Sequence, residues 1–154
     1  MADKDKPYRE PSNTERVPAA ALHRHVQHKR HELELLHDEE ERHRKEREQH
    51  AHFEFLSREF TEDDRLHIRD LTARAVHAGA FEVEILRFPA SYLTDRGRAI
   101  NNNEHHWPDT LTGYARSMHN AFDDIAAPLG YKMVARVLDY PNGMIGLVAL
   151  FLVW

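Results

Sequence analysis

Apolar positions are sparse before Phe53 and regular after it, and this change of pattern divides the chain into three segments. Residues 1–18 are charged and contain proline, which predicts a disordered N-terminal segment. Residues 19–58 contain neither glycine nor proline and are dominated by His, Glu and Arg, which predicts one long charged helix. Residues 59–154 show the apolar periodicity of a small folded domain.

The first half of the predicted helix has an apolar seam, and the second half has none. Four residues form this seam at heptad spacing: Leu22, Val26, Leu33 and Leu36. Lys29 occupies the remaining seam position. No apolar residue occurs from Asp38 to His50, so that segment can bury nothing and is expected to be a solvated spacer. The seam predicts coiled-coil pairing, with a second copy of the chain or with another protein as the partner.

Apolar residues return at Phe53, Phe55, Leu56 and Phe60, and we interpret this cluster as the joint between helix and domain. Helices are then predicted at 61–79, 91–100 and 107–127, and strands at 81–88, 131–140 and 144–154. A helical crossover normally joins parallel strands, whereas the Asn142-Gly143 turn predicts an antiparallel hairpin. The predicted fold is therefore α+β, a three-stranded mixed sheet packed by two or three helices. The last strand is nearly all apolar and is expected to be central or covered on both faces.

Charge and composition narrow the classes of function. The formal net charge of −5 argues against a nucleic-acid-binding protein, because phosphate contacts require a concentrated basic face. The longest apolar run, Met144–Trp154, is far shorter than the roughly 20 residues that a membrane-spanning helix needs. Cysteine is absent, and residues 1–18 lack the apolar core of a secretory signal, so we expect a cytoplasmic protein without a membrane partner.

Histidine is abundant, with 13 residues, and two Glu-x-x-His pairs, Glu34 with His37 and Glu40 with His43, have the spacing of metal ligands. Di-iron bundles place such pairs on separate helices that converge on one centre. Here both pairs lie on one helix and point in different directions, so they cannot share a metal within one chain. We therefore predict a solvated histidine-rich helix with no metal and no cofactor. The alternative is weak, adventitious binding of zinc or nickel by His28 and His31, since neutral imidazole is a good ligand.

The loop between the first strand and the last helix, residues 94–107, concentrates polar side chains at the edge of the predicted framework. The ligand-binding candidates in it are Asp95, Arg96, Arg98, Asn101, Asn103, His105 and His106. The arginines suit a carboxylate or phosphate, and either histidine can act as a base. Ordinary turn chemistry explains the same composition, because Asn favours left-handed and capping conformations.

No phosphate-binding glycine loop, nucleophile elbow or paired zinc-ligand motif is present in the sequence. The leading hypothesis is a non-enzymatic interaction or oligomerisation protein, a small α+β recognition domain carried on a charged helical stalk. The alternative is a small domain or enzyme that binds an anionic ligand through the loop at 94–107.

Overall fold

The computed structural model describes residues 18–154, and α1, Ala19–Ser57, is its longest element. None of the residues of α1 is fully buried, as expected for so polar a helix. The chain divides into two compact units inside this helix, between Gln49 and His50. The last eight residues of α1, His50–Ser57, therefore belong to the same unit as the rest of the chain.

The unit formed by residues 50–154 contains three further helices and three strands. The helices are α2 (Glu62–His77), α3 (Arg98–Asn101) and α4 (Gly113–Ile125), and the strands are β1 (Glu82–Pro89), β2 (Lys132–Val137) and β3 (Leu147–Val153). Thr61 caps α2, because its side chain accepts a hydrogen bond from the Asp64 backbone N–H while the Asp64 carboxylate accepts one from the Thr61 N–H. This reciprocal pair satisfies two of the free N–H groups at the start of the helix.

The three strands form one sheet in the order β1-β3-β2, so that β3 is central as predicted. The α+β class is confirmed, but the sheet is antiparallel throughout rather than mixed. Both flanking strands pair with β3, from Glu82 opposite Val153 in β1 to Val137 opposite Val148 in β2. β1 and β2 do point in the same direction, but β3 lies between them, so the helical crossover joins strands that are not neighbours.

One face of the sheet forms the core with α4. Val148 and Leu150 of β3 are fully buried and pack with Tyr114, Ala115 and Met118 of α4. The alternation of a strand places Val148, Leu150 and Leu152 on this face and the intervening residues on the other. The core is completed by Phe88, Ala90, Leu93, Ile100 and Leu111.

Charged side chains cover part of the opposite face of the sheet. Ala149 has no exposed surface, although its neighbours across the sheet are Arg87 and Arg136. Arg136 donates two hydrogen bonds of 2.6 Å to the Glu82 carboxylate and lies 4.5 Å above the centre of the Phe151 ring. This pair spans β3 and joins the two edge strands, which share no backbone hydrogen bonds.

Two predicted helices are shorter than expected. The helix expected at 91–100 is a 3-10 turn at Ala90–Tyr92 followed by α3, because Gly97, in the left-handed conformation, precedes α3. The helix expected from Trp107 begins only at Gly113, since Leu111 and Thr112 are extended. Thr112 donates its hydroxyl hydrogen to the Tyr92 carbonyl, a long-range bond that local sequence does not reveal.

Candidate functional site

The first candidate site is the apolar seam of α1. The four seam side chains, Leu22, Val26, Leu33 and Leu36, are 49%, 51%, 63% and 51% exposed. Their spacing of three, four or seven residues places them along one side of the helix. Leu35 is also 53% exposed, but it lies outside this row. The helix therefore presents a narrow aliphatic stripe to its surroundings.

The polar half of α1 is held by ion pairs within the helix. Arg44 lies 3.4 Å from Glu41 and 3.8 Å from Glu48, and Arg42 lies 3.9 Å from Glu39. Four of these side chains are more than half exposed and Glu41 is 38% exposed, so each pair adds only about 0.2–0.5 kcal/mol to helix stability. The segment is thus a solvated helix, as its composition predicts.

The second candidate site is the loop at 94–107, and Asp95 in it is used by the backbone. Its carboxylate accepts hydrogen bonds from the N–H groups of Gly97, at 2.9 Å, and Ala99, at 2.6 Å. These bonds satisfy free donors at the start of α3. Asp95 therefore has a structural role that accounts for its position without a ligand.

The other predicted residues of this loop are exposed. Asn101 accepts a 2.7 Å hydrogen bond from the Tyr140 hydroxyl, and His106 lies 3.0 Å from Glu104. Asn103 adopts a left-handed conformation with φ of 54°, which is typical of turn chemistry. Arg96, Arg98 and His105 are exposed to solvent. None of these residues lines the apolar groove described below, so a ligand site in this loop stays a prediction.

The structure reveals an aromatic cluster at the beginning of the compact unit. Phe55 contacts three rings, with centroid distances of 5.2 Å to Phe88, 4.9 Å to Tyr92 and 6.4 Å to Tyr114. His52, one helical turn earlier, stacks on Tyr92 at 4.2 Å. The sequence identified Phe55 as part of the joint, but it gave no signal for the partners, which lie more than 30 residues away.

A polar group adjoins this cluster. Arg58 donates a 2.5 Å hydrogen bond to Asp64 and lies 4.1 Å from the centre of the Tyr114 ring. Burial raises the pKa of Tyr114 to about 12, and its hydrogen bond to Asp64 acts in the same direction, while Arg58 opposes the shift. Burial also acts to raise the pKa of Asp64, but hydrogen bonds from Thr61 and Tyr114 outweigh it and hold that pKa below its ordinary value. At neutral pH Tyr114 is therefore neutral and Asp64 is ionised, as expected for side chains with a structural role.

An apolar groove lies between α2 and α4, above the sheet. Its empty space, including the part open to solvent, is about 400 Å³. Ile68, Met118, Phe122 and Met133 contribute to its walls, and Arg65 is its charged residue. Arg65 is already paired with Glu62. The groove can accept an apolar group, but it offers few polar atoms to orient one.

Within residues 18–154, no group of three or more His, Asp or Glu side chains is arranged to hold a metal ion. In the same range, no helix is both long and apolar enough to cross a membrane. The Glu-x-x-His pairs of α1 are thus not completed into a site by other described residues.

Comparison with known proteins gives no relative: no family model, no curated protein and no solved structure matches this chain.

Proposed function

We propose that this chain is a non-enzymatic interaction protein that self-associates through α1, with the compact unit as its recognition domain. The observation that carries the proposal is the exposed stripe of Leu22, Val26, Leu33 and Leu36 on a helix without buried residues. Its spacing is that of a coiled-coil seam, in which side chains from two helices interlock.

The stability of the helix supports the same proposal. Isolated helices gain little from propensity alone, and most helices in proteins are stabilised by packing of an apolar face. Within residues 19–49 the only aliphatic row is the seam, and no residue of α1 is buried within the chain. Pairing with a second helix supplies the packing that the described residues of a single chain do not provide.

The proposal is tested by replacing Leu33 and Leu36 together with Asp and measuring mass by light scattering. We expect the parent to have a multiple of the 18.1 kDa chain mass and the double variant to approach one chain mass. Leu35→Asp is the matched control, because Leu35 is equally exposed and adjacent but lies outside the seam. A parent of one chain mass, or an equal loss of mass in the control, contradicts the proposal.

A cytoplasmic location belongs to this proposal and is supported by the absence of cysteine from the chain. Independence from nucleic acid also belongs to it, supported by the net charge of −5. The alternative of an anionic ligand bound by the loop at 94–107 stays a prediction, for which the exposed Arg96 and Arg98 are the available cations.

A further inference from the structure

We infer that two copies of α1 pair in parallel and in register. This inference rests on the proposed function and adds the orientation of the partner. The two orientations bring different seam residues into contact between the helices, and each such contact forms one layer. In a parallel pair every seam residue faces its own copy, whereas in an antiparallel pair the two kinds of seam position face each other.

Parallel pairing gives the larger apolar contact. Leu22, Val26, Leu33 and Leu36 each face the same residue of the partner, so four layers are apolar on both sides. Lys29 forms one polar layer in the middle of the seam. A polar residue at a single seam position is a known means of fixing register, since any shift places it against an apolar side chain.

Antiparallel pairing loses half of these layers. In one register Val26 faces Leu36, but Leu33 faces Lys29 and Leu22 faces Glu40. In the register one heptad away Leu22 faces Leu33, but Val26 then faces Lys29 and Leu36 faces only Ala19. Burial of an aliphatic side chain stabilises a helix pair more than an exposed ion pair does. The two apolar layers that antiparallel pairing loses therefore favour the parallel orientation.

Charges beside the seam also suit the parallel arrangement. Positions that flank the seam meet across a parallel pair five residues apart, and there they commonly form ion pairs. Glu32 then meets His37 of the other copy, and Glu39 meets Arg44. All four side chains are about half exposed or more, so they are accessible to a partner. The third flanking pair, His25 with Arg30, contains no carboxylate, so the parallel arrangement is supported by the apolar layers first and by two of the three flanking pairs.

The orientation is tested by disulfide formation in the full chain, which contains no native cysteine. The probes are Leu22→Cys, Val26→Cys, Leu33→Cys and Leu36→Cys, oxidised mildly one at a time. A disulfide requires Cα atoms within about 7 Å, so only residues that face each other are joined. Arg24→Cys, on the side of the helix opposite the seam, is the control. We expect each seam variant to form covalent dimers at least tenfold more than the control.

Two mixtures complete the experiment, Val26→Cys with Leu36→Cys and Leu22→Cys with Leu33→Cys. Covalent dimers that form only in a mixture show antiparallel pairing and overturn the inference while leaving the proposed self-association intact. Absence of cross-linking in the single variants, or equal cross-linking of the control, also overturns the inference. The light-scattering mass of the unmodified parent decides the proposed function separately, so the two failures are distinguishable.

Discussion

The residues of α1 before His50 and the compact unit that follows contain similar aliphatic side chains in opposite situations. In the first region Leu33 and Leu36 remain more than half exposed, whereas in the second Val148 and Leu150 have no exposed surface. Both pairs occur at regular spacing, so periodicity alone does not show whether a partner lies in the same chain. The compact unit thus completes its own core, whereas no other residue from 18 to 154 buries the seam of α1.

The mutation with the largest expected effect lies where α1 enters the compact unit. Gly113, at the start of α4, has φ of 48°, and a Cβ there would overlap the backbone of Phe55 and Leu56. We expect Gly113→Ala to lower the free energy of unfolding by about 4 kcal/mol, through overpacking and an unfavourable backbone conformation. The measurement is chemical denaturation.

The matched control for this change is Gly130→Ala. Gly130 has φ of 95°, but a Cβ there meets nothing within 4 Å. Only the conformational penalty, roughly 1–2 kcal/mol, is then expected. Equal effects of the two changes would show that the close approach of α4 to the end of α1 is not maintained in solution.

Two nearby phenylalanines of α1 differ in packing and should differ in their contribution to stability. Phe55 packs on three rings, whereas Phe53 is 71% exposed. Phe55→Ala should therefore lower the free energy of unfolding by about 3 kcal/mol. Phe53→Ala should change it by less than roughly 0.5 kcal/mol. Unfolding curves in urea check both values, and a large effect at Phe53 would contradict the exposure of its side chain in the structure.

The smallest expected effect concerns alkaline pH. The pKa of Tyr114 is raised from 10.0 to about 12 in the fold, so the folded state binds this proton more tightly than the unfolded state. Stability from this group is complete below pH 10 and decreases as the pH rises towards 12. The loss is at most about 2–3 kcal/mol, and Tyr114→Phe should reduce the dependence. Thermal melts across this range check it, and an unchanged slope in the variant would assign the effect to another group.

Much of the fold was predictable because its signals are local. The Thr61 cap and its acidic first turn predicted α2, and the apolar run after Gly143 predicted a central strand. The predicted mixed sheet was wrong in its pairing, because nothing near β1 in sequence shows that β3 inserts beside it. The late start of α4 likewise depends on the bond from Thr112 to Tyr92, which only tertiary structure brings together.

The candidate sites were predictable to different degrees. The seam depends on spacing within one helix, so the sequence could predict its residues without tertiary information. The structure shows these side chains exposed on α1, and their pairing stays a prediction. The loop at 94–107 depends on tertiary convergence, which composition does not encode. Asp95 illustrates the difference. A carboxylate can bind a ligand or accept hydrogen bonds from backbone N–H groups, and in the structure Asp95 accepts them from Gly97 and Ala99.

The order of strands in the sheet has a consequence for synthesis of the chain. β3 leaves the ribosome after β1 and β2, yet among the described strands both of these pair with β3 alone. Until residues 147–153 emerge, β1 and β2 have no sheet partner, and the apolar face of α4 has no sheet core to cover. The compact unit is therefore expected to fold late and in one step, whereas α1 can form its local hydrogen bonds much earlier.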